Sequence, residues 1–266
     1  MRRSSGETNR TPKSRTGKRL LAIGIPVLAA VLLLAGALGY LCTYYPADAA
    51  AVEAFAATST VTERTLQNGD LLFDPGDADT GLVFYPGGKV DEAAYAPLMR
   101  AFAERGILCV LCKMPFHLAV LDMHAADDAR EAVSGISHWY IGGHSLGGAC
   151  ASIEVSEHPG VYEGLILLGA YADRDLSHAS LRALSIYGSE DGILDRDKYE
   201  QSRVKLPADC TEIVLSGGCH AGFGMYGTQK GDGTPAFSSA EQIIRTADAI
   251  TEWMQSGQAD QKQQNR

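Results

Sequence analysis

The chain has 266 residues, of which 45% are hydrophobic and 21% charged, the composition of a globular protein with a sizeable core. Its length suits one α/β domain with an added segment. The formal net charge is −9, and the charge is uneven, because residues 1–19 hold seven Lys or Arg and only one acidic residue. An acidic body of this kind repels phosphates, which argues against nucleic acid as a partner.

The segment 20–42 follows this basic tail and contains no charged side chain. As a helix that rises 1.5 Å per residue it would be about 34 Å long, enough to cross a hydrocarbon core of about 30 Å. We therefore expect a transmembrane anchor with the tail 1–19 in the cytoplasm, and a single-pass protein of the cell membrane whose main domain is extracytoplasmic. The alternative is a cleaved signal peptide with "ADA" at 47–49 as processing site, but the apolar run is longer than the roughly 7 to 15 residues of a signal peptide.

After an Ala-rich spacer at 43–59, strands and helices alternate through a predicted domain at 60–255, and a polar tail follows at 256–266, expected to be disordered. A hairpin around Asn68-Gly69 opens the domain. Further strands are predicted at "TGLVFYP", "ILCVLCKMP", "HWYIGG", "YEGLILLGAY", "LRALSIYG" and "TEIVLSGG", with helices near 96–105, 122–135, from Ser145, 195–203 and 239–255. This pattern predicts an α/β fold with a mostly parallel sheet, helices on both faces and the hairpin at an edge.

The six cysteines are expected to be free thiols, mostly buried. Cys109 and Cys112 lie in one apolar strand and point to opposite faces, while Cys210 and Cys219 bracket another strand, too far apart for a bridge. No group of Cys, His or acidic residues shows the sequence spacing of metal ligands, and so neither a metal nor an organic cofactor is predicted.

The stretch "GGHSLGG" at 142–148 places Ser145 between a strand and a helix, with Gly143 and Gly147 on either side. Glycines at these positions permit the sharp turn that raises a nucleophilic serine above a parallel sheet. In such sheets the reactive groups gather at the carboxyl ends of the strands. We therefore expect Ser145 to be a nucleophile, and its partners to follow other strands.

His220 follows the last predicted strand and is the expected base; His144, beside the serine, is expected to point away from where a base must lie. The carboxylate that orients the base should follow a strand between Ser145 and His220. Asp191 in "YGSEDGIL" is favoured, and Asp173 in "GAYADRD" is the alternative. The order Ser, Asp, His is that of the α/β hydrolases.

Two backbone N–H groups are expected to bind the oxyanion of an acyl-transfer reaction. One is that of Leu146, at the start of a helix, and the other lies in the "PGGK" loop, where Gly88 is favoured and Lys89 is the alternative. About ten residues separate the strands where lids are usually inserted, which predicts an open site with little or no lid. Its walls are predicted to include Met114, Phe116, His117, Phe223 and Tyr226.

From about residue 60 to 255 the chain resembles the α/β hydrolases, in particular the compact branch called α/β hydrolase fold-5. The resemblance rests on "FYPGGKVDEAAYAPL", "GGHSLGG", "YGSEDGIL" and "GGCHAGFGMYGTQKGDG", in that order. It implies a triad of Ser145, Asp191 and His220 with an oxyanion loop near Gly88. Pro86 departs from the family pattern, because many hydrolases have histidine before these glycines.

The expected activity is hydrolysis of a carboxylic ester, or a related thioester, amide or lactone, of a small-molecule acyl substrate through an acyl-enzyme. An acyltransferase would use the same three residues, and a non-catalytic binding domain at the cell surface is the alternative from another class. A dehalogenase is disfavoured because it would need Asp at position 145. The sequence leaves the oligomeric state open.

Overall fold

The computed structural model describes residues 15–56 and 61–264, and it divides after Thr43 into two units. Most of the predicted basic tail and the end of the predicted spacer lie outside the described residues. The first unit is α1, Arg15–Leu41, which has Pro26 inside it. Among the described residues, no helix has the length and apolarity needed to cross a membrane. The transmembrane anchor predicted at 20–42 is thus not supported, and the cell-membrane location stays a prediction.

The second unit is built on one eight-stranded sheet with the order β1-β2-β4-β3-β5-β6-β7-β8. β1 and β2 form the predicted hairpin at one edge and pair antiparallel, while the strands from β4 to β8 run parallel. The strands are β1 Thr62–Thr65, β2 Leu71–Asp74, β3 Thr80–Tyr85, β4 Leu108–Leu111, β5 His138–His144, β6 Gly164–Leu168, β7 Arg182–Gly188 and β8 Cys210–Leu215. The predicted fold class is confirmed.

Helices cover both faces of this sheet, as the continuous burial of β3, β4 and β6 requires. They are α2 Ala49–Ala56, α3 Ala96–Ala103, α4 Ala125–Glu131, α5 Leu146–Glu157, α6 Arg196–Ser202 and α7 Ser239–Gln264. The last helix continues through most of the tail that was expected to be disordered. The tail contains four Gln residues, which are good helix formers, and it contains no proline that would end the helix.

Two apolar cores lie on the two sides of the sheet. Cys109 belongs to the core that includes α3 and α7, and Cys112 to the core that includes α4 and α5. The prediction that these two thiols point to opposite faces is therefore correct. Cys150 and Cys219 are also buried, Cys42 and Cys210 are exposed, and all six are free.

Candidate active site

Ser145 sits on a strained turn between β5 and α5. Its φ is 52° and its ψ is −120°, a backbone conformation that residues other than glycine rarely adopt. A Cβ at Gly143 would lie 2.4 Å from the Gly147 carbonyl carbon, and one at Gly147 would lie 2.3 Å from the Tyr85 carbonyl oxygen. Only glycine fits at both places, and so the chain can turn sharply enough to hold the serine above the carboxyl ends of the strands.

The first turn of α5 places the Leu146 N–H beside this serine. Leu146 is the first residue of this helix, and N–H groups in the first turn have no carbonyl acceptor within the helix. The positive end of the helix dipole adds to the attraction of this N–H for negative charge. The Gly88 N–H has no hydrogen-bond partner among the described residues, and a Cβ at Gly88 would lie 2.9 Å from Leu146 Cδ2. By contrast, the Lys89 N–H donates to the His117 carbonyl at 2.7 Å. The geometry thus favours Gly88 over Lys89 as the second donor.

His220 and Asp191 form a buried pair. His220 Nδ1 lies 2.8 Å from Asp191 Oδ2, and both side chains have at most 1% of their surface exposed. The other carboxylate oxygen, Oδ1, accepts the N–H groups of Ile193 at 2.9 Å and Leu194 at 2.8 Å. Because the carboxylate accepts from Nδ1, the neutral ring carries its proton there. Its Nε2 is left as an acceptor, buried and without a partner among the described residues.

Asp173, the alternative carboxylate, lies in the loop after β6. Its side chain is 49% exposed and pairs with Arg174 at 2.8 Å. Its backbone N–H donates to Ser152 Oγ on α5. The hydrogen bond to His220 belongs to Asp191, and so the geometry favours the carboxylate that the sequence analysis favoured.

Ser145 and His220 line the same cleft, which has a volume of about 470 Å³. Its other lining residues are mostly small or apolar, with charged side chains towards the rim: Leu146, Ala149, Gly169, Ala170, Tyr171, Asp173, Ile193, Leu194, Asp195 and Lys198. No helix or strand lies between β6 and β7, where a lid would be inserted. The cleft is therefore shaped by the loops after β6 and β7.

Comparison with known proteins agrees with this architecture. The sequence model described as "Alpha/beta hydrolase family" matches residues 81–244, more than half of the chain. The chain belongs to the alpha/beta hydrolase family. A search of curated protein sequences finds no match.

Solved structures share the fold of this hydrolase at low sequence identity. Est1E from Butyrivibrio proteoclasticus is 12% identical, with a TM-score of 0.56, over 76% of this chain and 100% of that one. TT1662 from Thermus thermophilus is 15% identical, with a TM-score of 0.55, over 74% and 98% of the two chains. A predicted CIB-like hydrolase from Thermoplasma acidophilum is 14% identical, with a TM-score of 0.52, over 73% and 99%. These likenesses concern the fold alone.

None of the five wall residues predicted for this hydrolase lines the cleft in the described part of the chain. Met114, Phe223 and Tyr226 are buried in the apolar cores, and Phe116 is 47% exposed. His117 pairs with Glu92 at 3.3 Å. Sequence spacing places these residues in loops near the serine, but it cannot show that they pack inward or sit to one side.

Tyr95 and His144 form a buried connection that the sequence analysis missed. The Gly87 N–H donates to Tyr95 Oη at 3.1 Å, and Tyr95 Oη lies 2.7 Å from His144 Nδ1. The His144 ring packs against the His220 ring with centroids 4.3 Å apart, contrary to the expectation that it points away. Burial, together with the nearby His220, lowers the pKa of His144 well below its usual 6.5, so this ring stays neutral. The glycine loop is thus connected to His220 through two buried side chains.

Asp232 was also missed, although the motif "GTQKGDG" contains it. Its Oδ1 accepts the N–H groups of Gly192 and His220, both at 3.1 Å, and its Oδ2 accepts that of Ala221 at 2.8 Å. One carboxylate therefore holds together the loop that carries Asp191 and the loop that carries His220. A short Gly-Asp-Gly sequence gives no sign of so distant a contact.

Proposed function

We propose that this hydrolase cleaves a carboxylic ester with Ser145 as nucleophile, His220 as general base and acid, and Asp191 as the group that orients His220. The observation that carries the proposal is the buried His220–Asp191 pair, whose unpartnered Nε2 borders the same cleft as Ser145. The strained backbone at Ser145 gives further support, because strain of this kind is retained mainly where a side chain has a function.

In the first half of the reaction, His220 Nε2 accepts the proton of the Ser145 hydroxyl while Oγ attacks the carbonyl carbon of the ester. The carbonyl oxygen becomes an oxyanion, which the N–H groups of Leu146 and Gly88 stabilise, each by about 3 kcal/mol. Asp191 stabilises the imidazolium. The imidazolium then gives its proton to the departing alkoxide, the C–O bond breaks, and the acyl group remains on Ser145.

In the second half, water replaces the alcohol. His220 Nε2 takes a proton from the water as its oxygen attacks the acyl carbon, and the same two N–H groups hold the second oxyanion. Proton return to Ser145 Oγ breaks the acyl-enzyme bond and releases the carboxylic acid. The serine and the imidazole are then in their starting states.

The cleft suits a small-molecule ester whose acyl group meets the small and apolar residues near Ser145. The charged side chains of Asp173, Asp195 and Lys198 surround the opening, where a polar leaving group would meet them. One solved structure with the same fold is that of Est1E with ferulic acid bound. We therefore include a feruloyl ester beside short aliphatic esters among the substrates to be tested.

The first test is labelling of the full chain with a fluorophosphonate, which reacts with activated serines and releases fluoride. Intact mass and peptide mapping should find one adduct on Ser145. The Ser145→Ala variant should take up no label and Asp191→Asn should label far more slowly. Ser156→Ala is the matched control, because Ser156 lies on the same helix with its hydroxyl bonded to the Ile153 carbonyl. It should label like the wild type.

Failure of the folded wild type to label would contradict the proposal and favour a non-catalytic binding domain. Label on Ser145 without ester hydrolysis would direct attention to acyl transfer. That alternative is tested by adding an alcohol acceptor and measuring the new ester by mass spectrometry. Formation of a new ester in preference to the free acid would make the protein an acyltransferase with the same three residues.

A further inference from the structure

A second group of reactive side chains lies where the start of α4 meets the last turn of α5. His124 and Asp127 belong to the first segment, and Glu154 and His158 to the second. One possible metal-ligand atom from each of these four residues lies within 4.8 Å of all the others. None of the four lines the cleft that contains Ser145. We name this group the His/carboxylate cluster.

We propose that the His/carboxylate cluster is a structural zinc site. Two imidazoles and two carboxylates are donors that Zn²⁺ accepts, and four protein ligands complete a tetrahedral shell. The two neutral rings and two negative charges would balance the charge of the ion. This assignment goes beyond the proposed esterase reaction and is independent of it.

The donor atoms already lie near the required spacing. His124 Nδ1 is 3.0 Å from Glu154 Oε2, and His158 Nε2 is 3.5 Å from Asp127 Oδ2. In a tetrahedral site with bonds of about 2.0 to 2.1 Å, neighbouring ligand atoms are about 3.3 Å apart. These two donor pairs are therefore close to tetrahedral spacing, and one donor atom from each of the four residues lies within 4.8 Å of the others.

The surroundings of two ligands match those of metal ligands in proteins. His158 Nδ1 lies 3.1 Å from the Glu154 carbonyl oxygen and 3.0 Å from Glu154 Oε1, which fixes the ring and leaves Nε2 directed at Asp127. Tyr162 Oη donates to Glu154 Oε1 at 2.9 Å and holds that carboxylate in turn. The contacts made by the Glu154 backbone carbonyl and by Tyr162 Oη come from outside the set of ligand atoms, and contacts of this kind orient histidine and carboxylate ligands in metal sites.

The local charge also favours a cation. The Glu154 side chain is fully buried, and in the part of the chain that the structure describes no Lys or Arg pairs with it. Glu157 adds a third carboxylate 3.4 Å from His124 Nε2, and the carbonyl end of α5 adds partial negative charge. The cation nearby, Arg130, is paired with Asp127 Oδ1 at 2.6 Å. Asp127 Oδ2 remains on the side of His158.

The sequence analysis found no metal motif because the ligands come from two segments that only the fold brings together. Each pair does have helical spacing, with His124 and Asp127 three apart and Glu154 and His158 four apart. Such pairs share one face of a helix and are common without a metal. The site depends on the two faces meeting.

The test is zinc binding to the full chain after removal of metal with a chelator. Competition against a chromogenic chelator should give one Zn²⁺ per chain, and Co²⁺ should give the intense visible bands of tetrahedral cobalt. The double variant His124→Asn with His158→Asn should lose the bound ion, and each single variant should bind at least tenfold more weakly. His178→Asn, at an exposed histidine outside the cluster, should bind like the wild type.

Circular dichroism without metal will show whether the double variant is folded. Binding of no Zn²⁺ by the folded wild type would overturn the proposal. Unchanged one-to-one binding in the double variant would overturn it equally, because the ion would then lie elsewhere. Cobalt bands of octahedral type would contradict the four-ligand shell. Since none of these measurements uses an ester, their outcome is separate from that of the proposed hydrolase activity.

Discussion

Helix α5 carries a reactive region at each end, and the two are built in opposite ways. At its start, Ser145 has a strained backbone, and a Cβ at either Gly143 or Gly147 would collide with neighbouring backbone atoms. At its far end, the His/carboxylate cluster is made of side chains, and His124 is 51% exposed. The first region therefore has its geometry before any ligand arrives, while the second can adjust to an ion. Preorganisation of this kind suits catalysis, and adjustable side chains suit binding.

Within the first region, the largest effect is expected from a change in the hydrogen bond between His220 and Asp191. Asp191→Asn should lower kcat about 10⁴-fold, because an amide no longer holds the His220 ring in the required tautomer. The measurement is ester hydrolysis by the full chain. Asp173→Asn, on the rim of the same cleft, is the control and should retain most of the activity. The reverse result would transfer the role to Asp173.

A smaller effect is expected from crowding the base. Gly169 has a φ of +51°, and a Cβ there would lie 2.9 Å from His220 Nδ1. Gly169→Ala should therefore displace the ring and lower kcat about 100-fold, since small misplacements have effects of this size. Gly160→Ala is matched to it, because Gly160 also has positive φ, +82°, but open space around it. Equal activity of the two variants would show that the contact does not matter.

Tyr95→Phe tests the connection between the loop that contains Gly87 and Gly88 and the proposed base, His220. It removes the acceptor of the buried Gly87 N–H and the partner of His144 Nδ1, and we expect kcat to fall about tenfold with KM little changed. Tyr199→Phe is the control: this buried hydroxyl also has two partners, Ser185 and Glu212, but lies outside the cleft. Equal losses in both variants would mean a general effect on stability.

Asp232 should make the stability of the two loops that carry Asp191 and His220 sensitive to acid. Burial raises the pKa of its carboxyl, but hydrogen bonds from several backbone N–H groups together lower it by more, so that the net pKa lies below the usual 3.8. Its stabilising contribution is present above pH 3.8 and is lost as the pH falls through the lower, folded-state pKa. Urea unfolding should find Asp232→Asn less stable than wild type at pH 7, with the difference shrinking below pH 3.8. A constant difference would contradict this assignment.

The smallest effect on activity is expected from the other end of α5. The helix has twelve residues and is about 18 Å long, so that removal of a bound Zn²⁺ should leave ester hydrolysis nearly unchanged. The melting temperature should fall by about 5 to 10 °C relative to protein with zinc at 100 times its Kd. The double His124→Asn, His158→Asn variant should show no such difference. Loss of hydrolysis with loss of zinc would show that the two ends are coupled.

The sequence predicted the first region better than the second for a physical reason. The sharp turn at Ser145 needs glycines at fixed positions beside it, and the short loops after successive parallel strands bring Asp191 and His220 to one edge. These constraints act on residues close together in the sequence, and they therefore produce recognisable sequence motifs. Other contacts depend on how separate loops and helices pack, and no short sequence pattern predicts them. They are the contacts of Asp232 with His220, of His144 with Tyr95, and of His158 with Asp127. The inward packing of Phe223 and Tyr226 was missed for the same reason.

Tyr85 joins the two regions, and its chemistry bears on tolerance to alkali. Its carbonyl lies against Gly147, while its hydroxyl donates to the Met123 carbonyl at 2.8 Å and accepts the Ala126 N–H at 2.9 Å. Burial raises the pKa of this phenol far above its usual 10, and so it keeps its proton in buffers that ionise tyrosines on the surface. The unfolded chain would ionise this phenol near pH 10, so the stabilising contribution of the neutral buried form is present below pH 10 and declines as the pH rises above it. The attachment of α4 to the sheet should therefore weaken in strongly basic solution.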